Sequence, residues 1–596
     1  GALTEPDLNL AVVGNCQISA LIDQGGRVVW MCLPRHDGDP IFCSLLGGSR
    51  DEGYADVQLV NLAQCAQAYR RNTAIVETVL RDSTGGALRI TDFCPRYRRF
   101  ARMYRPMSLI RIIEPIAGRP VVRVRIRARH DHGAHQPPVT VGSNHIRYQT
   151  PAVTVRLTTD APLTTLLEER PFVLTSSMAL VMGPDETLTE APGAFAHAEL
   201  EATQRYWLDW ARGLAVPFEW QEAVIRAAIT LKLCTFEDTG ALIAAITTSI
   251  PESASSGRNW DYRYCWLRDS YFTVQALNRL GATRTMEAYL RYIMNIIESA
   301  QHGTLQPLYG ISGETQLTER VIESLPGYRS MGPVRVGNQA FEQTQHDVYG
   351  SVILAATQAF FDQRLEHPGD IALFERLEEL GERSVALYDK PDSGLWEYRG
   401  RTRVHTFSSV MCWAGCDRLA RIAGTLGLSE RAASWRAHAD AMHARISKLA
   451  WDERQRSFTE SFERPELDAS LLLLHELNFL SANDPRFLST LQAVEKALRR
   501  DRCMLRYDGA DDFGPPENAF NFCSFWFINA LAVTGRREEA RDLFEHMLAR
   551  RTPQGLLSED LDPRTGELWG NYPQTYSLVG IVNAAMRLSR PWEDAV

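Results

Sequence analysis

Along the first 200 positions apolar residues alternate with polar ones in short runs, as in Ala74-Ile75-Val76-Glu77-Thr78-Val79-Leu80 and Val121-Val122-Arg123-Val124-Arg125-Ile126-Arg127. A period of two places successive side chains on opposite faces of a strand. Gly-Gly pairs at 25–26, 47–48 and 85–86 punctuate the runs as turns do. Many short strands without helical stretches between them predict an antiparallel β-sandwich over residues 1–200. After a linker or linker helix at 201–220, a period of 3.6 takes over. Start and stop signals predict twelve helices, beginning near 221, 269, 284, 346, 370, 408, 429, 466, 484, 522, 536 and 574. No repeat of fixed period is visible, so residues 221–596 are expected to form a closed double ring, an all-α (α/α)6 barrel, rather than an open solenoid.

The connections carry the functional signal. Those entering the even-numbered helices of this series are long and rich in Trp, Tyr, Arg, Asp, Glu, Asn and Gly: 237–268, 301–345, 389–407, 451–465, 501–521 and 552–573. Those entering the odd-numbered helices are mostly a few residues. With the even-numbered helices inside, all six long loops open at one end of the barrel and converge on one pocket. Aromatic faces with hydrogen-bonding side chains between them suit a sugar, whose ring has C–H faces and hydroxyl edges.

Composition narrows the classes. The 596 residues are 45% hydrophobic and 23% charged, which is an ordinary globular composition with a large core. With 64 Lys+Arg against 73 Asp+Glu the formal charge is −9, so the basic footprint of a nucleic-acid binder is missing and a neutral or small substrate fits better. No apolar run approaches the ~20 residues that cross a bilayer. The opening Gly1-Ala2-Leu3-Thr4-Glu5-Pro6 lacks a basic stretch followed by an apolar one, so a cytoplasmic protein without membrane association is expected. Eleven scattered Cys without a CxxC oppose a disulfide scaffold or structural zinc, and Cys412 and Cys416, one helical turn apart, read as buried thiols. His130, Asp131, His132 and His135 resemble a metal cluster, but they end a strand in a loop with Gly and Pro and read as a solvated turn. Asp512-Phe513-Gly514 mimics a kinase tripeptide without the accompanying Gly-rich loop and lysine. No metal or cofactor is expected, and the oligomeric state is not legible.

Three loop segments can do chemistry. In Arg258-Asn259-Trp260-Asp261-Tyr262-Arg263-Tyr264-Cys265-Trp266-Leu267-Arg268-Asp269, the Arg268-Asp269 pair opens a helix. It can cap that helix or grip adjacent hydroxyls, and the aromatics beside it favour a hydroxyl-binding rim. In Leu395-Trp396-Glu397-Tyr398-Arg399-Gly400, a carboxyl wedged between Trp396 and Tyr398 would be partly desolvated, as a general acid requires; alternatively Glu397 is a surface residue paired with Arg399. In Ser558-Glu559-Asp560-Leu561-Asp562, two adjacent carboxylates beside a hydroxyl make a polar, solvated setting in which one stays ionised, which suits a base; Asp560 and Asp562 also look like turn residues.

In this order the motifs resemble the bacterial branch of glycoside hydrolase family 15, the glucoamylase, glucodextranase and trehalase family, over essentially the whole chain. The matching blocks run from Gly14-Asn15-Cys16 and Val29-Trp30-Met31-Cys32-Leu33-Pro34-Arg35-His36-Asp37 through Arg258–Asp269, Gly327-Tyr328-Arg329, Pro333–Ala340, Gln345-His346-Asp347-Val348-Tyr349-Gly350, Leu395-Trp396-Glu397 and Cys523-Ser524-Phe525-Trp526 to Ser558-Glu559 and Gly570-Asn571-Tyr572-Pro573-Gln574. The resemblance implies a β-sandwich before an (α/α)6 barrel, and removal of glucose from non-reducing ends of α-glucosides with inversion. It implies Glu397 as general acid and Glu559 as general base. Arg268 and Asp269 would hold the outer hydroxyls of the non-reducing glucose, Trp266 and Tyr262 would line its subsite with Trp396, and Arg506 would reach the same sugar. Ser558-Glu559-Asp560 for Ser-Glu-Glu, Glu517-Asn518-Ala519-Phe520-Asn521 for Glu-Gly-Ala-Phe-Leu and Thr575-Tyr576-Ser577-Leu578 for Ala-Phe-Ser-His depart from the pattern and bear on substrate preference. Two other classes stay open: an inverting disaccharide phosphorylase, which has no use for a base at Glu559, and a non-catalytic carbohydrate-binding protein, which would tolerate loss of either Glu. Maltodextrin, isomalto-oligosaccharide and trehalose all present the same non-reducing glucose, so the sequence leaves the aglycone open.

Overall fold

The computed structural model describes residues 5–595; the first four residues of the opening discussed above lie outside them. Two antiparallel sheets form the N-terminal sandwich. In the first, strands Leu10–Gly14, Ser19–Asp23, Val28–Leu33, Tyr54–Leu59, Val121–Arg127 and Phe172–Val173 are neighbours in that order, with Asp39–Phe42 branching from Val28–Leu33. The second has eight strands, with Leu109–Ala117 between Met178–Pro184 and Ala87–Phe93. Alternation explains why the strand Leu10–Gly14 is apolar throughout: Ala11 and Val13 enter the core between the sheets, while Leu10 and Val12 enter that of the barrel. A sheet buried on both faces reads as a continuous hydrophobic run.

Thirteen α-helices occur among the described residues: α1 Leu163–Leu167, α2 Pro192–Arg212, α3 Gln221–Leu233, α4 Leu267–Arg279, α5 Thr283–Ser299, α6 Asp347–Phe361, α7 Ile371–Leu387, α8 Thr406–Thr425, α9 Ser429–Leu449, α10 Pro485–Leu498, α11 Asn521–Val533, α12 Arg537–Ala549 and α13 Thr575–Leu588. Helix α2 crosses the residue-200 boundary read from periodicity. Its Ala196 and Leu200 cover the outer face of the eight-stranded sheet at Phe93, Ile110 and Ile112, and its Trp207 is buried in the barrel core. The inner ring runs α4, α6, α8, a short segment at Ala469–Leu473, α11 and α13, and closes on α4. The inner helices are buried nearly all round, as Asn521–Leu531 of α11 are, whereas outer helices such as α10 keep one apolar stripe.

The helix expected near 466 is instead a five-residue 3-10 helix, Ala469–Leu473, followed by irregular turns. Asp468 caps it through Ser470 N at 3.1 Å, and Asn478, at φ 63°, interrupts the run behind it. Leu471 to Leu474 are all buried, so no polar face remains to set a 3.6 period there.

The sandwich clamps the first long loop. Trp30, 1% exposed, donates from its indole to Ile246 O at 3.1 Å. The buried Arg263 guanidinium pairs with Asp261 at 2.9 Å and donates to Gly38 O at 3.1 Å, and Asp261 in turn holds Gly337 N. Farther round the interface Arg96 pairs with Glu237 at 2.7 Å, and Tyr572 donates to Leu10 O at 2.6 Å. Arg35 pairs with Asp37 on its own loop and donates to Ser312 and Glu314 of the barrel, so it is an interdomain bridge.

Candidate active site

A pocket of about 920 Å³, counted to its open mouth, lies at the N-terminal ends of the inner helices. All eight residues singled out in the sequence line it: Tyr262, Trp266, Arg268, Asp269, Trp396, Glu397, Arg506 and Glu559. Five of the six long loops contribute to its wall. The loop 451–465 does not; its Glu460 pairs with Arg403 behind the pocket instead.

Local backbone aims each side chain. Trp266 pairs in a short strand with Leu308 and forms the extended N-cap of α4, which puts Arg268 and Asp269 in the first helical turn. No side chain caps this helix, so Asp269 is not an N-cap. Glu397 stands at φ 59° in a turn where its N–H donates to Gly394 O at 3.1 Å. A left-handed non-glycine residue costs of order 1 kcal/mol and is retained where the surroundings hold it. Glu559 precedes the strand Asp560–Leu561, which pairs with Ala519–Phe520 on one side and Leu568–Trp569 on the other, and its carbonyl accepts from Asn521 N at 2.9 Å.

The Glu397 carboxyl is held on one oxygen. Trp266 Nε1 donates to Oε2 at 3.0 Å, Gln345 Nε2 donates to the same atom at 2.8 Å, and Arg268 Nη2 lies 3.9 Å from it. No described group donates to Oε1. The side chain keeps 23% of its surface open. This differs from the setting expected from the sequence. Trp396 turns its indole away to Asp468 Oδ2 at 2.8 Å, and Arg399 forms a bidentate pair with Glu319 at 2.8 and 2.9 Å, so neither pairs with Glu397. Gln345 receives Arg268 Nη1 at 2.9 Å, and Asp347 anchors the same guanidinium at 3.3 Å.

Glu559 sits in a different environment from the solvated one expected. It and Asp560 are each 2% exposed, and Glu252, 5% exposed, joins them so that carboxylate oxygens of all three lie within 4.8 Å of one another. Burial, then the charge of Glu252, raises Glu559 well above the ordinary carboxyl range; burial and the Glu559 charge do the same to Asp560. Arg506 donates to Glu252 Oε2 at 2.9 Å, and the Tyr262 hydroxyl is within hydrogen-bonding reach of Glu559. A guanidinium bonded into the cluster makes it a poor cation site. Asp560 is a strand residue, and only Asp562 makes the turn, accepting from Arg564 N at 2.9 Å.

Asp269 faces Arg268 and Tyr576, whose hydroxyl also receives Arg268 Nε at 3.2 Å. Burial pushes the Asp269 carboxyl up to about 7 against the pull of Arg268 and Tyr576. A buried acid beside a guanidinium offers one acceptor and one donor to neighbouring hydroxyls. Functional neighbours missed from sequence are Glu252, Gln345, Asp347 and Tyr576. Gln345 and Asp347 stood within a matching motif block and Tyr576 in a segment that departs from the pattern, all at inner-helix entrances; Glu252, in Ile250-Pro251-Glu252-Ser253, carried no aromatic signal.

His130 and His135 pair across their turn, as expected of a loop, and His132 lies 3.9 Å from Asp39. The eleven cysteines are free, and Cys412 and Cys416 are buried.

Comparison with known proteins bears on this pocket. A model described as glycosyl hydrolases family 15 matches residues 220–586, and a trehalase-like N-terminal model matches residues 2–160. The chain is 32% identical to a trehalase of Mycobacterium tuberculosis, covering 99% of this chain and 90% of that one. It is 28% identical to a trehalase of Thermoplasma volcanium, covering 97% and 92%. The crystal structure of a bacterial glucoamylase complexed with acarbose superposes with a TM-score of 0.68 at 15% identity, over 98% of this chain and 96% of that one, a likeness of fold.

Proposed function

Because the chain belongs to glycosyl hydrolases family 15 and is a glycoside hydrolase, we propose that it is an inverting, exo-acting α-glucoside hydrolase whose preferred substrate is trehalose. The trehalase-like N-terminal match and the near full-length likeness to trehalases support that substrate. Arg268 and Asp269, buried in the pocket wall, grip the outer hydroxyls of the non-reducing glucose. Trp266 and Tyr262, edge to face with ring centroids 5.5 Å apart, line the same sugar.

The observation that carries the chemistry is that the two carboxyls have separate partner sets. Glu397 Oε2 is occupied by Trp266 and Gln345, so the free Oε1 is the atom that delivers a proton to the glycosidic oxygen. Glu559, on the loop before the sixth inner helix, faces it across the ring and takes a proton from water as that water attacks the anomeric carbon from the opposite side. Protonation of the leaving oxygen and deprotonation of the water in one displacement invert the centre and yield β-glucose plus the released sugar. A phosphorylase would have no use for the buried base.

The test is glucose release from trehalose, maltose, isomaltose and starch, each with and without phosphate. Trehalose turned over fastest, with glucose and no sugar phosphate as product, is the expected result. Preferred release from starch would replace trehalose by maltodextrin, and a strict phosphate requirement with glucose 1-phosphate as product would overturn hydrolysis.

A further inference from the structure

Three buried carboxyls around the base face too little positive charge to be ionised together. Among the described residues Arg506 is the one cation bonded directly to the trio, through Glu252 Oε2 at 2.9 Å. Arg258 comes no nearer to Glu252 than 4.0 Å, and Asp511 neutralises it at 2.6 Å. The other titratable groups facing the trio, the hydroxyls of Tyr262 and Tyr507 and the Cys523 thiol of α11, carry no charge near neutrality. Like charges held this close in a dry site force a proton onto one of them. Asp560 Oδ2 is the oxygen that shows where. It is buried and receives no donor from any described group. An ionised oxygen so placed costs several kcal/mol, whereas a protonated one becomes a donor. Gly570, at φ 83°, is what lets this oxygen lie where it does: a Cβ there would stand 2.4 Å from it.

We propose that Asp560 and Glu252 are positioning residues that act through Glu559, Asp560 retaining a proton near neutral pH and donating it in a hydrogen bond to the Glu559 carboxylate while Glu252 keeps the cluster one negative charge in excess. The consequence is a base that holds its proton more tightly than an isolated glutamate, and so removes one from water more readily at neutral pH. This rests on Glu559 being the general base. Arg506 then serves two tasks, reaching the sugar and tethering Glu252.

The experiment is the pH profile of kcat/KM on trehalose for the full chain and for Glu252→Gln, Asp560→Asn, Asp560→Glu and Glu559→Gln, with thermal melts as a check of folding. Removing a negative neighbour lets Glu559 stay ionised to lower pH. Glu252→Gln should therefore move the acid limb down by about one pH unit or more and lower kcat at neutral pH several-fold, whereas Asp560→Asn, which replaces one neutral donor by another, should leave the limb near its wild-type position. Asp560→Glu, which keeps a protonated carboxyl there, should hold the limb near its wild-type position as well. An acid limb that stays put in Glu252→Gln, or that moves down in Asp560→Asn as it would on losing an ionised neighbour, overturns the proposal, and if one of them does not fold the other decides alone. Near wild-type turnover in Glu559→Gln would instead overturn the assignment of the base.

Discussion

The Trp266 indole donates to Glu397 Oε2 at 3.0 Å, and this bond sorts the two oxygens of one carboxyl into a held atom and a free atom. Trp266→Phe keeps an aromatic side chain beside Tyr262 but removes the donor and part of the buried ring system. The expected result is a kcat about tenfold lower with a modest fall in melting temperature, since one hydrogen bond is worth about 0.5–1.5 kcal/mol net and this one orients the acid, while the smaller ring leaves a small void at a buried site. Steady-state kinetics beside a thermal melt measure both.

Glu397→Gln and Glu559→Gln should each keep the fold and lower kcat by about 10²–10⁴-fold, the usual worth of a general acid or base. Turnover near wild type in either variant removes that residue from its role.

Inversion is readable in the product. A water must fit between Glu559 and the anomeric carbon, so the two carboxyls are expected roughly 6.5–9.5 Å apart rather than the ~5–5.5 Å of a retaining enzyme. Proton NMR during the first minutes of hydrolysis should show β-glucose forming before mutarotation, and α-glucose as the first product would sink the mechanism.

Asp269 couples activity to stability with a definite sign. Its carboxyl is raised from 3.8 to about 7, so between those values the folded chain holds a proton that the unfolded chain has lost. The contribution is fully present below pH 3.8 and is lost as pH rises through about 7. Asp269→Asn should therefore melt higher than wild type at pH 8, with the gap closing toward pH 4. Asp269→Ala, which removes the hydroxyl partner altogether, should lose about 2–4 kcal/mol in kcat/KM, because a buried donor on the sugar is left unpaired. Normal kinetics with a melting gap that does not depend on pH would contradict both halves.

Gly570→Ala should be among the most damaging small changes. The added Cβ would lie 2.4 Å from Asp560 Oδ2 and 2.9 Å from Glu559 Cβ, at a backbone φ of 83° that favours glycine. A loss of about 2–4 kcal/mol in stability and of most activity is expected from overpacking plus strain; denaturant melts and kcat check it.

Local order was legible in the residues themselves. Periods of two and of 3.6 record which face of each segment is buried, so the change from sheet to helix, eleven of the twelve expected helix positions and the loop-bearing end of the barrel could be read from the chain. The same patterning drew attention to Glu397 and Glu559 because each stands in a polar loop ahead of an inner helix. What periodicity does not record is which distant residue arrives opposite. Trp396 binds Asp468, Arg399 binds Glu319, and Gln345 rather than either neighbour of Glu397 holds that acid; these partners are 52 to 80 positions apart in the chain. Glu252 reaches Arg506 across 254 positions, and that contact helps turn a segment that reads as solvated into a buried acidic cluster. The segment near 466 failed for the complementary reason: its leucines are buried in every direction, which erases the polar face that a helical period needs. Burial of one face is written in the local sequence, whereas the dielectric and charge around a carboxyl are sums over groups that only the closed barrel brings together.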